Sequence, residues 1–162
     1  MLEATNGAST SVWMASAPVP VYPPLASDLS TEICVIGAGI AGLTAAYLLS
    51  REGRQVAVID ALGIGAGETG RTTAHFFPPD EWYAGIEQAF GADDARLVAD
   101  SFASATDLAE SIVGRERIDC GFERLDGYLY ALEANGFKDL DRELDAARRA
   151  GVDAERLPRV PG

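Results

Sequence analysis

Glu32-Ile33-Cys34-Val35-Ile36-Gly37-Ala38-Gly39-Ile40-Ala41-Gly42, with Asp60 eighteen residues beyond the last glycine, is the stretch that decides the fold. It places a Gly-X-Gly-X-X-Gly pattern where an apolar run of strand character gives way to a helical one. Each glycine has its own task. Gly37 permits a tight turn, Gly39 removes a side chain that would keep a pyrophosphate away from the backbone, and Gly42 lets helix and strand pack closely. Free amides at the helix start then face an anion. Asp60 falls at the end of the next apolar run, where a carboxylate accepts hydrogen bonds from both ribose hydroxyls and disfavours a 2′-phosphate. A turn serving packing alone would not need an acid at that distance, so the pattern predicts dinucleotide binding.

Working outward, Glu32 to Ile36 reads as one strand, Ile40 to Arg51 as a helix closed by Gly53, and Gln55 to Asp60 as a second strand. That is a βαβ unit. Both strands are nearly continuous apolar runs, which predicts burial on both faces in a parallel sheet. The fold class expected is α/β, a Rossmann-like unit with a parallel sheet, followed by helices and an antiparallel hairpin of a second region.

The 162 residues carry 25 Asp or Glu against 13 Lys or Arg, a formal net charge of -12, which speaks against a nucleic-acid groove. With 48% apolar and 23% charged residues the chain has ordinary globular composition. Ile33 to Ser50 contains no charge, but Asp28 and Glu32 precede it, no Lys or Arg comes before Arg51, and three glycines interrupt it. A membrane span and an export signal are therefore not expected. Cys34 and Cys120 are far apart, which supports neither a disulfide framework nor a metal site. Both read as inert thiols, Cys34 in the core, and the setting expected is cytoplasmic.

The remaining chain divides by composition. Residues 1–30, rich in Ser, Thr, Ala and Pro, read as an extended arm that Trp13 either tacks to the body or leaves disordered. Residues 31–79 hold the βαβ unit and a glycine-rich loop, with a short helical turn at Thr72 to Phe77 ended by Pro78 and Pro79. Residues 80–162 begin a second region. There Asp80 caps a helix through Phe90, and a helix from Asp93 to Arg115 buries Leu97, Val98, Phe102, Ala105, Leu108, Ala109, Ile112 and Val113. Its opposite face, with Asp94, Asp100, Asp107 and Glu110, reads as a solvated surface. Asp126-Gly127 between Phe122–Leu125 and Tyr128–Leu132 predicts the hairpin, and Phe137 to Ala150 a last helix with Leu140, Leu144 and Ala147 inward.

The motif alone leaves FAD and NAD open; the loop beyond Asp60 favours FAD. Gly63 to His75 is a flexible, hydroxyl-bearing stretch of the kind an extended dinucleotide needs at its far end, with Thr72 and Thr73 as caps and phosphate ligands. Gly65-Ala66-Gly67-Glu68-Thr69-Gly70 repeats the glycine pattern after a loop instead of a strand, and reads as coincidence.

Glu32 to Asp60, then Gly67-Glu68-Thr69-Gly70-Arg71-Thr72-Thr73-Ala74-His75, then Ile118 to Phe122 and Asp126-Gly127-Tyr128-Leu129-Tyr130, together resemble the N-terminal part of FAD-dependent oxidoreductases of the D-amino acid oxidase, glycine oxidase and sarcosine oxidase superfamily. The likeness is strongest to the branch whose members often carry a C-terminal Rieske iron-sulfur domain. It implies FAD as cofactor, with Gly37, Ala38, Gly39, Ile40, Ala41, Gly42, Asp60 and Ala61 around its ADP part. Gly67, Thr69, Arg71, Thr72, Thr73 and His75 then approach the pyrophosphate and flavin ring. The activity implied is oxidation of an amine or amino acid by hydride transfer to the flavin. Members of that superfamily resemble chains at least twice this long, so the sequence is expected to be an N-terminal portion, inactive alone and completed by a C-terminal half or another subunit. The alternatives are an NAD-dependent dehydrogenase and a non-catalytic nucleotide-binding remnant.

Single residues keep more than one role at this point. His75, the only histidine, is a polar contact beside the flavin, a covalent or acid–base group, or a structural residue. No other catalytic residue is assigned. Arg71 offsets phosphate charge or sits on the surface beside Glu68. Tyr128 and Tyr130 share one face of a strand and belong to the core or lie near the substrate.

Overall fold

The computed structural model describes residues 10–77, 83–133 and 136–161. The chain runs α1 (Val12–Ser16), β1 (Ile33–Ile36), α2 (Ile40–Arg51), β2 (Val56–Ile59), a 3-10 turn (Glu68–Arg71), α3 (Tyr83–Phe90), α4 (Ala92–Glu116) and α5 (Phe137–Arg149). It divides into two compact units, one up to His75 and one from Phe76.

In the first unit β1 and β2 pair in parallel, Ile33 opposite Val56 and Ile36 opposite Ile59, joined through α2 as the sequence predicts. Gly53, just past α2, takes φ +80°, a conformation that costs glycine nothing. Ala46 is the buried residue of α2. The strands are not buried on both faces, however. Ile33 and Val35 are half-buried while Cys34 and Ile36 alternate to the other side and are exposed, Ile36 at 83%. Only the side toward α2 is covered among the described residues, so Cys34 is not the core thiol that its apolar run suggested.

Two other expectations in this unit change. The arm is not wholly extended, because the Ser11 side chain accepts from the Met14 amide (3.2 Å) and starts the single turn α1. The helical turn in the loop comes earlier than predicted, at 68–71, and 72–77 are not helical. Thr72 is extended (ψ 161°) and its hydroxyl accepts from the Ala74 amide (2.8 Å), with Ala74 in the left-handed region at φ 59°. That local bond replaces the helical one. The roles given to Pro78, Pro79 and Asp80 lie outside the described residues.

The second unit packs α3 against α4 and α5 around Tyr83, Ala95, Ala99, Ala146, Ala147 and Ala150. Small residues let the helices approach closely. α5 turns Leu140, Leu144 and Ala147 inward as predicted. On α4 the seam is Ala95 and Ala99, whereas Leu97, Phe102 and Leu108 from the predicted stripe are exposed, Leu97 at 65%. Glu143, itself buried, accepts from the Tyr83 and Ala84 amides (2.6 and 3.0 Å) and so caps α3. Burial, then the Glu143 charge, push the Tyr83 phenol above its usual range. The acidic face of α4 is more than a solvated surface, since Asp107 and Glu110 hold the Arg124 guanidinium (2.5 and 2.6 Å).

The predicted hairpin does not form: residues 122–132 contain no strand. A two-residue hairpin turn of the Asp-Gly type needs positive φ at both central positions, and neither Asp126 nor Gly127 has it. An isolated two-stranded ribbon is also marginal in water. Tyr128 and Tyr130 are accordingly exposed, not core, and Cys120 is exposed as well. No helix among the described residues is long and apolar enough to cross a membrane.

Candidate functional site

The site grows from the end of β1. Gly37 continues the ladder with its amide on the Ile59 carbonyl (2.8 Å) and turns at φ +109°, a value that demands glycine. Gly42 stands where an added Cβ would lie 2.0 Å from the Gly37 carbonyl oxygen and 3.2 Å from Val35 Cγ1. Its task is close packing of α2 on β1, as the spacing predicted. Between them α2 opens with its first amides exposed. Ile40 N–H donates to Thr69 Oγ1 (3.0 Å), and the amides of Gly39, Ala41 and Gly42 find no acceptor among the described residues. A Cβ on Gly39 would stand 3.1 Å from the same Thr69 hydroxyl.

Asp60 does more than end β2. Its Oδ2 accepts from the Ala38 amide, and its Oδ1 from the amides of Leu62 and Gly63, all at 2.8 Å. The Ala38 bond first, then those from Gly63 and Leu62, hold the carboxyl below its usual range. A carboxylate offers about four lone-pair positions, and these three bonds leave room for roughly one further donor. Asp60 is exposed.

The loop after Ala61 folds back onto this turn. Gly65 N–H donates to the Ala38 carbonyl (2.9 Å), so Asp60, Gly65 and Thr69 all fasten the loop to the β1–α2 turn. The repeated glycine pattern is not an idle coincidence of composition. Gly65 takes φ +63°, Gly70 donates to its carbonyl (3.0 Å), and a Cβ on Gly70 would lie 2.5 Å from that oxygen. Gly65 and Gly70 thus repeat the Gly37 and Gly42 relation at the same spacing of five; that spacing was the signal available in the sequence. The Arg71 guanidinium turns into its own loop, Nη1 on the carbonyls of Ala66 (2.7 Å) and Gly67 (3.1 Å), with Nε buried and unpartnered among the described residues. Ala61, Thr73 and His75 are exposed, and Gly67 caps the 3-10 turn. Trp13 does tack the arm down, its indole N–H on the Thr72 carbonyl (2.8 Å).

Free amides at a helix start, a glycine whose missing side chain keeps them open and the Thr69 hydroxyl beside them form a donor set suited to an anion such as a pyrophosphate. A site for a metal has no counterpart: no group of three His, Cys, Asp or Glu side chains able to hold one is found among the described residues.

Residues 32–161 match the family described as FAD dependent oxidoreductase (DAO). Among curated proteins, YhfW of Bacillus subtilis, named for a Rieske 2Fe-2S iron-sulfur protein, is 31% identical over 92% of this chain and 30% of its own length. Gamma-glutamylputrescine oxidoreductase of Escherichia coli is 26% identical over 80% of this chain and 30% of its own. The oxidoreductase OrdL of Haemophilus influenzae is 28% identical over 64% and 24%. The chain therefore spans less than a third of the length of these relatives. No solved structure matches it significantly.

Proposed function

Since the chain belongs to the family of FAD-dependent oxidoreductases, we propose that its first unit holds the ADP half of FAD for an enzyme that oxidises an amine or amino acid at the carbon bearing nitrogen. Family membership supports FAD as the cofactor. The amine substrate is supported by the Escherichia coli relative, whose name is that of an oxidoreductase for a putrescine derivative. Bound FAD supplies the two-electron acceptor for that C–H bond.

The work assigned to this chain's own residues is binding and orientation. Gly39 keeps the amides of residues 39, 41 and 42 open to the pyrophosphate, Thr69 stands beside them, and Arg71 braces the loop that carries Thr69 through the carbonyls of Ala66 and Gly67. Asp60 keeps one acceptor direction for a ribose hydroxyl while locking the turn. Thr72, Thr73 and His75 line the approach to the flavin. Residues 31–79 make the cofactor-binding domain and residues 80–162 the start of a substrate-binding region. The rest of the site comes from the additional length seen in the relatives or from another subunit, in keeping with the exposed side chains of Ile36, Leu125, Tyr130 and Leu132.

The observation that carries this reading is the open start of α2 under Thr69. It is tested by mixing the purified chain with FAD, removing free ligand and recording visible flavin absorbance, with Gly39→Ala as control. The neighbour that an alanine methyl would meet is a side-chain hydroxyl able to move, so Gly39→Ala keeps the fold and loses at least tenfold in flavin affinity. Equal retention by both chains overturns the assignment of the site. Asp60→Ala is the poorer control, because three backbone amides depend on that carboxylate.

A further inference from the structure

The cofactor reading gives no task to residues 11–14, yet the side chains of Ser11 and Trp13 reach across 59 residues to the turn that reading depends on. Ser11 Oγ donates to the Gly70 carbonyl, and Trp13 Nε1 to the Thr72 carbonyl at 2.8 Å. The Met14 side chain lies over Gly70, where a Cβ would meet its Cγ at 3.2 Å and its Sδ at 3.3 Å. The two carbonyls flank Arg71, and the residue before Gly70 is Thr69, whose hydroxyl meets α2.

Such a turn needs holding from outside. It comes after Gly63, Gly65 and Gly67 in sequence, the first two at φ +130° and +63°. Glycine-rich chain loses the most conformational freedom on ordering. Bonds within the loop run from Ala66 to Gly63, Gly70 to Gly65, Arg71 to Ala66 and Gly67, and Ala74 to Thr72. We propose that Ser11, Trp13 and Met14 form a strap that positions the Glu68–Thr72 turn, and through it Thr69, at the start of α2. Trp13 is a positioning residue, since it acts through the Thr72 carbonyl. The inference rests on the cofactor reading for what the turn is positioned to do, and on geometry alone for the strap itself.

The test compares Trp13→Phe, which keeps an aromatic ring and removes the N–H donor, with Trp13→Ala, which removes both. Two quantities are read: hydrogen exchange of the Ile40 and Gly70 amides without FAD, and the rate of FAD dissociation. Losing one neutral hydrogen bond predicts exchange and dissociation about fivefold faster in Trp13→Phe, and faster still in Trp13→Ala. Exchange at Val35 and Ala57 in the sheet stays unchanged. Wild-type exchange at Ile40 and Gly70 in both variants overturns the strap, as does an equal rise at Val35 and Ala57, which would mark general destabilisation. Faster exchange with unchanged flavin dissociation overturns the positioning role. A parent chain that retains no flavin overturns the cofactor reading instead, and the exchange data still decide the strap.

Discussion

In the unit up to His75, Gly42 and Gly70 face carbonyl oxygens 2.0 and 2.5 Å from where a side-chain carbon would be; in the helices of the other unit, Gly85 and Gly114 face open space. The two regions are shaped by different means. In the first, turns fix which residue is allowed, and hydrogen bonds accepted by Asp60 and Thr69 and donated by Gly65 tie two loops together. In the second, alanines on three helices set the packing, and a buried carboxylate caps one helix from another. Glycine is thus a steric requirement at Gly42 and Gly70 and replaceable at Gly85 and Gly114, while the positive φ of Gly91, Gly121 and Gly151 still calls for glycine at turns of the second unit.

The largest effect that could break this comparison is a pair of identical changes. Gly42→Ala forces a methyl into the Gly37 carbonyl, with backbone that has nowhere to go, and costs about 3 kcal/mol or more. Gly114→Ala, exposed near the end of α4, gains roughly 0.5–1 kcal/mol from helix propensity. Chemical denaturation followed by circular dichroism reads both. If the two changes cost the same, the glycines of the first unit are not geometrically required.

A smaller loss sharpens the other half. Glu143→Ala leaves the buried Tyr83 amide and the Ala84 amide without their acceptor, at a cost of about 1–3 kcal/mol. Tyrosine absorbance should move with it, because the Tyr83 phenol loses the carboxylate that helps raise its pKa. A denaturation midpoint unchanged from the parent would mean that α3 needs no cap from α5.

The same contrast separates what is legible in the sequence from what is not. Gly37, Gly39, Gly42 and Asp60 are legible because the βαβ turn imposes residue types at fixed local spacing. The parallel pairing and α2 come from the same stretch. Glu143 is invisible, since its partner amide lies 60 residues away and nothing around it marks a cap. The hairpin at Asp126-Gly127 fails because a turn dipeptide specifies geometry only when the strands beside it have something to pack on. Ala95 and Ala99 are passed over for larger neighbours such as Leu97, because periodicity finds an apolar stripe without saying which part of a 25-residue helix is covered. Arg71 reads as facing phosphate or solvent, and instead donates to its own loop's carbonyls, which depends on how Gly65 and Gly67 bend the chain.

The smallest expected effect concerns Asp60, and its value lies in its sign. Three backbone amides hold the folded carboxyl below its usual pKa. A group depressed in this way stabilises the fold fully above its unfolded value, about 3.9 for aspartate. That contribution disappears as pH falls through the lower folded value. Asp60→Asn, which keeps one carbonyl acceptor and loses the charge, should therefore melt below the parent at pH 7 and approach it as pH drops under about 4. Because Asp60 is fully exposed, solvent screens the charge and the difference stays small. Thermal midpoints of the two chains between pH 3 and pH 7 measure it. A gap that persists undiminished at low pH would mean that the tie between the β1–α2 turn and the following loop does not depend on the charge. The first unit would then be held by its glycines and the Gly65 and Thr69 bonds alone.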